Sequence, residues 1–509
     1  MRKSILGLLS LTTLLWLSWG IRAQQPTQTV ITGGTLIDGR GGSPVRDAAI
    51  VVEGNRIQAV GPRSSVKYRP GARLIDASGK FVLPGLIDSH IHYSHWVPQI
   101  YLHMGVTSIV DLGNDIEWIL KTKELTAQGK VYGPRILGAA GPFLSSPPWA
   151  GHAKVHGEDE LFLKSPEHAR KAVRGLVAMG VDAIKIYTNL PPERIQAAAE
   201  EAHNAGIPVF ADHNLTINAR EAVFLGVDCI VHGTGLAVTT IRDARAFREF
   251  VNAGFLPASY AAAEPWYLTT PADYDEPVRF LVQRKVAIQP TSVPIWQGVL
   301  DRRAAIAQEI ARVFADPGLK YMPRARVDAK LDYSRWDKMP PEQLSKIREG
   351  YGRYKQFLKK FSDAGGVILP GSDPTNSGLP GLGVHHEMEA LVDAGLSPMR
   401  VIVAATKDSA DFIHKAGKDG VGTIESGKLA DIIIVRDDPL VNITNIRNSV
   451  EQVMQDGKFV NIAYTPDFTS AFPKGGKWET WEFGGDLHYV EDDTGSHKAD
   501  RPFPASLLP

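Results

Sequence analysis

The stretch "LPGLIDSHIHYSHW" (residues 83–96) closes an apolar run with two histidines one residue apart, His90 and His92. Alternation along a strand puts residues i and i+2 on one face, so both imidazoles point one way and Ile91 the other. Such a pair can grip a metal ion or be two hydrogen-bonded structural histidines. Further polar residues end apolar runs downstream: Lys185 in "AIKIY", His213 in "FADHN", His232 in "IVHG" and Asp373 in "LPGSD". Four imidazoles and a carboxylate suit a borderline divalent ion, zinc above all, with ligand bonds of ~2.0–2.2 Å. Lys185 is the odd member, because an ammonium offers only donors and repels a cation. Desolvated beside cations, it loses its proton readily, and the neutral amine can capture carbon dioxide as a carbamate. That anion carries two oxygens and can bridge two ions. A plain ion pair between Lys185 and Asp373 is the alternative.

These side chains need a scaffold that gathers strand ends. Counting the opening strand (81–92), eight apolar runs alternate with helical patterns: the others are "TSIVDLG", "RILGAAG", "AIKIYTN", "IPVFADHN", "CIVHGTG", "VAIQPTS" and "VILPGSD". Continuous apolar strands alternating with helices predict a parallel sheet, and eight of them predict an α/β fold of the closed (β/α)8 TIM-barrel type, with its chemistry at the strand ends. Short β-rich runs broken by Gly and Asn turns lie on both sides, which predicts a small β-sandwich built from both chain ends, 26–82 and 421–463, around a barrel at 83–420. The irregular segment 257–363, around the seventh strand, reads as an insertion forming a lid with helical pieces. Residues 464–509 read as an extended C-terminal arm.

The chain has 509 residues, with 56 Lys and Arg against 56 Asp and Glu. No basic surplus attracts nucleic acid, and the composition is that of a globular protein compatible with a homo-oligomer. Arg2 and Lys3, an apolar run from Ile5 to Trp19 and a processing site near Ala23 read as a signal peptide over 1–23. The expected location is therefore periplasmic or secreted, with no membrane attachment after processing. The single cysteine, Cys229 in "VDCIVHG", excludes an intramolecular disulfide and reads as an inert core thiol.

The "LPGLIDSHIH" opening, the "IKIY" lysine, the two later histidines, "GSD" and the closing "GTIESGKLADIIIV" together resemble the metal-dependent amidohydrolase superfamily, in its imidazolonepropionase-like branch that includes Xaa-Pro dipeptidases. The resemblance spans about residues 29–461. It implies that His90, His92 and Asp373 hold one metal, that His213 and His232 hold a second, and that carboxylated Lys185 bridges them. It further implies a water or hydroxide shared by the two ions as nucleophile, with Asp373 as general acid/base. Peptides or N-acyl amino acids are then the expected small-molecule substrates, cut at a C–N amide bond. Esterase, lactonase or phosphotriesterase activity is the alternative, or deamination of a cyclic amidine, although mononuclear deaminases of the superfamily do without the bridging lysine. A non-catalytic scaffold would not need the intact ligand set. Where relatives often read "EHG", this chain has Val231 before His232. Two further residues are candidates for substrate contact: Tyr187, two beyond Lys185, as an oxyanion or carboxylate donor or a packing tyrosine, and His152, whose Gly151-His152 resembles a "GGHG" element or is a surface histidine.

Overall fold

The computed structural model describes residues 28–94, 96–146, 160–187, 190–212, 217–233, 235–241, 265–299, 302–320, 338–374, 379–414 and 420–465. The signal segment 1–23, His95, His152, His213 and the arm beyond residue 465 lie outside them.

Six strands come first: β1 (Gln28–Thr32), β2 (Thr35–Leu36), β3 (Ala48–Glu53), β4 (Arg56–Pro62), β5 (Arg73–Asp76) and β6 (Phe81–Pro84). The barrel strands follow as β7 (Leu86–Ile91), β8 (Val106–Asp111), β9 (Arg135–Ala139), two extra short strands β10 (Phe143–Ser145) and β11 (Glu160–Phe162), then β12 (Ile184–Ile186), β13 (Val209–Ala211), β14 (Cys229–Val231), β15 (Ala287–Gln289) and β16 (Val367–Ile368). The chain ends its regular structure with β17 (Ile432–Val435), β18 (Val450–Gln455) and β19 (Lys458–Phe459). One small sheet has the order β4-β3-β1-β5 and the other β19-β18-β17-β6-β2. The antiparallel pairing of β17 with β6, Ile433 opposite Leu83, joins the two chain ends in one sheet. Between these sheets Ile50, Val52, Val82, Ile432 and Ile434 form a closed apolar layer.

The fold is a (β/α)8 barrel with this small β domain attached. Its strands do not form one unbroken ladder: β7-β8-β9 is one parallel sheet and β11-β10-β12-β13-β14-β15-β16 another. Backbone hydrogen bonds bridge the seams. On one side Ser89 N–H donates to Pro370 O (3.0 Å) and Asp373 N–H to His90 O (2.8 Å); on the other Asp182 N–H donates to Ala139 O (2.9 Å). Gly371 makes the first seam possible, since a Cβ there would stand 2.5 Å from the Cβ of His90. Ile87, Val110, Leu137, Ala183, Phe210, Cys229, Ala287 and Leu369, one from each barrel strand or its continuation, pack together as the barrel interior. That layer closes the floor beneath the polar residues at the strand ends.

Parts of 257–363 lie outside the described residues, and the described parts are helical. Helices Asp275–Gln283 and Pro341–Asp363 are the ordinary barrel helices leading into β15 and β16. The surplus lies after β15, where Val293–Val299 and Arg303–Phe314 add helical pieces. Among the described residues, no helix is long and apolar enough to cross a membrane.

Candidate metal centre

His90 is the penultimate residue of β7, and His92 follows the strand. Ligand atoms of His90, His92 and Asp373 all lie within 4.8 Å of one another, so a single ion could touch all three. His92 Nδ1 faces Gly113 O at 2.9 Å; donating there fixes its tautomer and leaves Nε2 as the ligand atom. That Nε2 stands 3.6 Å from Asp373 Oδ1. His232 pairs its Nδ1 with Thr291 Oγ1, which turns its Nε2 towards Asp373 Oδ2 at 3.8 Å and Asp212 Oδ2 at 3.5 Å. The His90 and His232 rings lie 5.2 Å apart. Four of the six residues singled out in the sequence thus meet at one end of the barrel.

Lys185, the fifth, is 1% exposed and sits two residues beyond Ala183, on the inward face of β12. Burial lowers its pKa, against the opposing pull of Asp212 and Asp373. Burial and the Lys185 charge likewise hold His90 well below the ordinary histidine range, and burial lowers His232 too. Imidazoles, a buried lysine whose pKa burial lowers and a carboxylate are donors that suit a divalent cation. His90 Nδ1 is buried without a hydrogen-bond partner, so the ring still has a nitrogen to offer. The residues fit the ion. His213 falls outside the described residues.

Strand geometry alone does not aim these groups. Three residues at the site take left-handed backbone angles: His232 (φ +58°), Thr291 (φ +44°) and Asp373 (φ +40°), at the ends of β14, β15 and β16. Such conformations cost a non-glycine residue about 1–3 kcal/mol each, and tend to gather where function demands a particular side-chain direction. Val231 packs in the barrel interior, and His232 reaches the mouth because its backbone turns there.

Several supports were not singled out in the sequence. Asp88, fully buried, accepts from Ser372 N–H (2.9 Å), Ser372 Oγ–H (2.6 Å) and His90 N–H (3.3 Å), which locks the Asp373 segment onto β7. Asp111 does the same for the loop that carries the His92 partner, accepting from Tyr93 N–H (2.7 Å) and Gly113 N–H (3.1 Å). Burial lifts each of these carboxyls to about 7 against the pull of those hydrogen bonds. Gln289 Nε2 donates to Ser89 O and Oγ across the floor, at 2.7 and 2.9 Å. A polar residue two before a ligand on a strand, as Asp88 is before His90, was the available signal.

A model of the amidohydrolase family matches residues 101–460. The chain belongs to the amidohydrolase family. Over 88 residues it is 39% identical to the N-acyl-D-aspartate deacylase of Alcaligenes xylosoxydans xylosoxydans, a stretch covering 16% of either chain, so only a small part of that curated relative is spanned. Two solved amidohydrolase-like structures superpose along most of their length. A Xaa-Pro dipeptidase with methionine bound in its active site has a TM-score of 0.60 at 21% identity, covering 86% of this chain and 100% of its own. Molinate hydrolase has a TM-score of 0.62 at 20% identity, covering 88% of this chain and 98% of its own. Likeness at such identities speaks to the shared fold.

Tyr187 stands on the inward side beyond Lys185. Its ring lies 4.7 Å from Phe143, which in turn lies 5.4 Å from His92, so the tyrosine borders the site. Other histidines are structural: His385 Nε2 pairs with Met104 O (2.8 Å) and His386 Nε2 with Glu309 (2.9 Å). Cys229 is fully buried in the barrel floor, and burial raises its pKa well above the ordinary thiol range.

Proposed function

We propose that this amidohydrolase is an exported hydrolase with two divalent ions, zinc foremost, that cuts a C–N amide bond in a dipeptide or N-acyl amino acid. The observation that carries it is the convergence of His90, His92 and Asp373 within 4.8 Å, next to the buried Lys185 and to His232. Bound ions would supply Lewis acidity, lowering the pKa of a water and polarising the amide carbonyl. The chain supplies the rest. His90 and His92, from the end of β7, would hold one ion together with Asp373, and His232 would serve a second. Lys185, as a carbamate, would add an anionic ligand. Asp373, with one oxygen facing His92 and the other facing His232, takes the proton of the attacking water and hands it to the leaving amine. Tyr187 and His152 are assigned to the substrate carbonyl or terminal carboxylate.

The deacylase and dipeptidase likenesses favour amides over esters. The test is metal analysis of protein prepared with zinc and bicarbonate, followed by parallel assays on dipeptides, N-acyl amino acids, aryl esters, lactones and cyclic amidines. Two ions per chain and amide turnover are expected. One ion with deamination, or a preference for esters by orders of magnitude, would overturn the reading.

A further inference from the structure

Just past β14 stand two successive residues with left-handed backbone angles, His232 (φ +58°) and Gly233 (φ +69°). The conformation is easy for glycine and unfavourable for histidine, so the surroundings must hold His232 in it. Thr291 grips the imidazole at Nδ1. A second contact falls on the backbone. Tyr354, fully buried on helix Pro341–Asp363, sets its hydroxyl on the face of Gly233 that a side chain would occupy: a Cβ there would stand 2.5 Å from the Tyr354 oxygen and 3.1 Å from its Cζ.

That hydroxyl has no hydrogen-bond partner among the described residues. Tyr274, in the same aromatic cluster around Trp266, has one, its hydroxyl lying 2.5 Å from Thr269 Oγ1. Elsewhere in the cluster a plain phenylalanine serves, Phe357, whose ring centre is 5.2 Å from that of Trp266. A buried hydroxyl without a partner destabilises a core that the bare ring would fill as well, so packing alone does not account for the oxygen. Its seat on Gly233 does.

We propose that Tyr354 is a positioning residue for the second metal site: its hydroxyl bears on Gly233 and keeps the His232–Gly233 step left-handed, so that the imidazole faces Asp373; this rests on the binuclear reading above. An ordinary backbone angle at residue 232 would swing Nε2 away from Asp373 Oδ2, from which it now stands 3.8 Å. Losing an outer support of a metal ligand weakens metal affinity by roughly ten- to a hundredfold, and a steric contact one residue away belongs at the lower end.

The test measures the dissociation constants of both zinc ions by competition with a chelator, and the melting temperature under saturating zinc, in wild type, Tyr354→Phe, His232→Ala and Phe357→Leu. His232→Ala identifies the ion that His232 holds. Tyr354→Phe should weaken that ion about tenfold, leave the other unchanged and melt close to wild type, since the atom it deletes is unpartnered. Phe357→Leu should melt lower and bind both ions as wild type does. Wild-type affinity in Tyr354→Phe overturns the proposal, as does weakening of both ions together with a lower melting temperature, or the same selective loss in Phe357→Leu. A wild type that holds a single ion overturns the binuclear reading itself, which separates the two failures.

Discussion

Asp373 combines three demands in one residue. Its carboxylate must face both His92 and His232, its N–H ties β16 to His90, and its backbone sits at φ +40°. Asparagine tolerates left-handed angles better than most residues, so Asp373→Asn separates proton transfer from strain. The expected result is native circular dichroism and a melting temperature within a few degrees of wild type, with turnover down about a hundred- to ten-thousand-fold. Asp373→Ala should also fold. Near-normal turnover in either variant with metal bound would remove Asp373 as the proton carrier.

At the scale of elements, the site depends on how the segment after β15 is held. Thr291 orients His232, and the helix Val293–Val299 starts just beyond it. Glu387, on helix Leu382–Asp393, accepts from Val293 N–H at 3.1 Å and so anchors that start. Burial pushes the Glu387 carboxyl from its ordinary 4.5 up to about 8, against hydrogen bonds from Ser292 and Val293. An acid with a raised folded pKa favours folding in its neutral form. The contribution is complete below about 4.5 and is lost as pH rises through about 8. Wild type should therefore lose stability between pH 5 and 8.5, and Glu387→Gln, which cannot ionise, should lose less, by about 1–3 kcal/mol. Urea unfolding at the two pH values reads the difference. Parallel slopes would show that Glu387 is ordinary.

At the scale of the molecule, a chain of ionic contacts fastens the small β domain to the barrel. Arg447, on the short helix Asn445–Asn448 between β17 and β18, donates from Nε to Glu309 Oε1 at 2.7 Å, and Glu309 Oε2 pairs with the buried His386 at 2.9 Å. Burial raises Glu309, but His386 and then Arg447 outweigh it and bring it to about 2. Stability from a lowered carboxylate is present above its ordinary 4.5 and disappears as pH falls towards 2. Glu309→Gln should cost roughly 3 kcal/mol at pH 7, since it strips the carboxylate partner from the mostly buried Arg447 guanidinium, and little at pH 2.5. Thermal melts at both pH values check this; an equal cost at both would mean packing rather than charge. Arg135 reinforces the same junction, donating to Asp456 at 2.6 Å and to Asp431 at 3.3 Å.

The sequence alone determined the eight barrel strands, the meeting of both chain ends in one small domain, and the polar residues His90, His92, Lys185, His232 and Asp373. Periodicity is local, and a strand that ends in a histidine announces it. It did not reveal the short β10 and β11, or that helices Asp275–Gln283 and Pro341–Asp363 belong to the regular barrel, because aromatic and charged residues there obscure the period. Nor did it show Asp88, Thr291, Glu387 and Glu309 at work, since each acts on a partner dozens to hundreds of residues away. That His232 turns to face Asp373 was a matter of backbone angle. Only the tertiary structure decided that, because distance between side chains is set by packing and not by order along the chain.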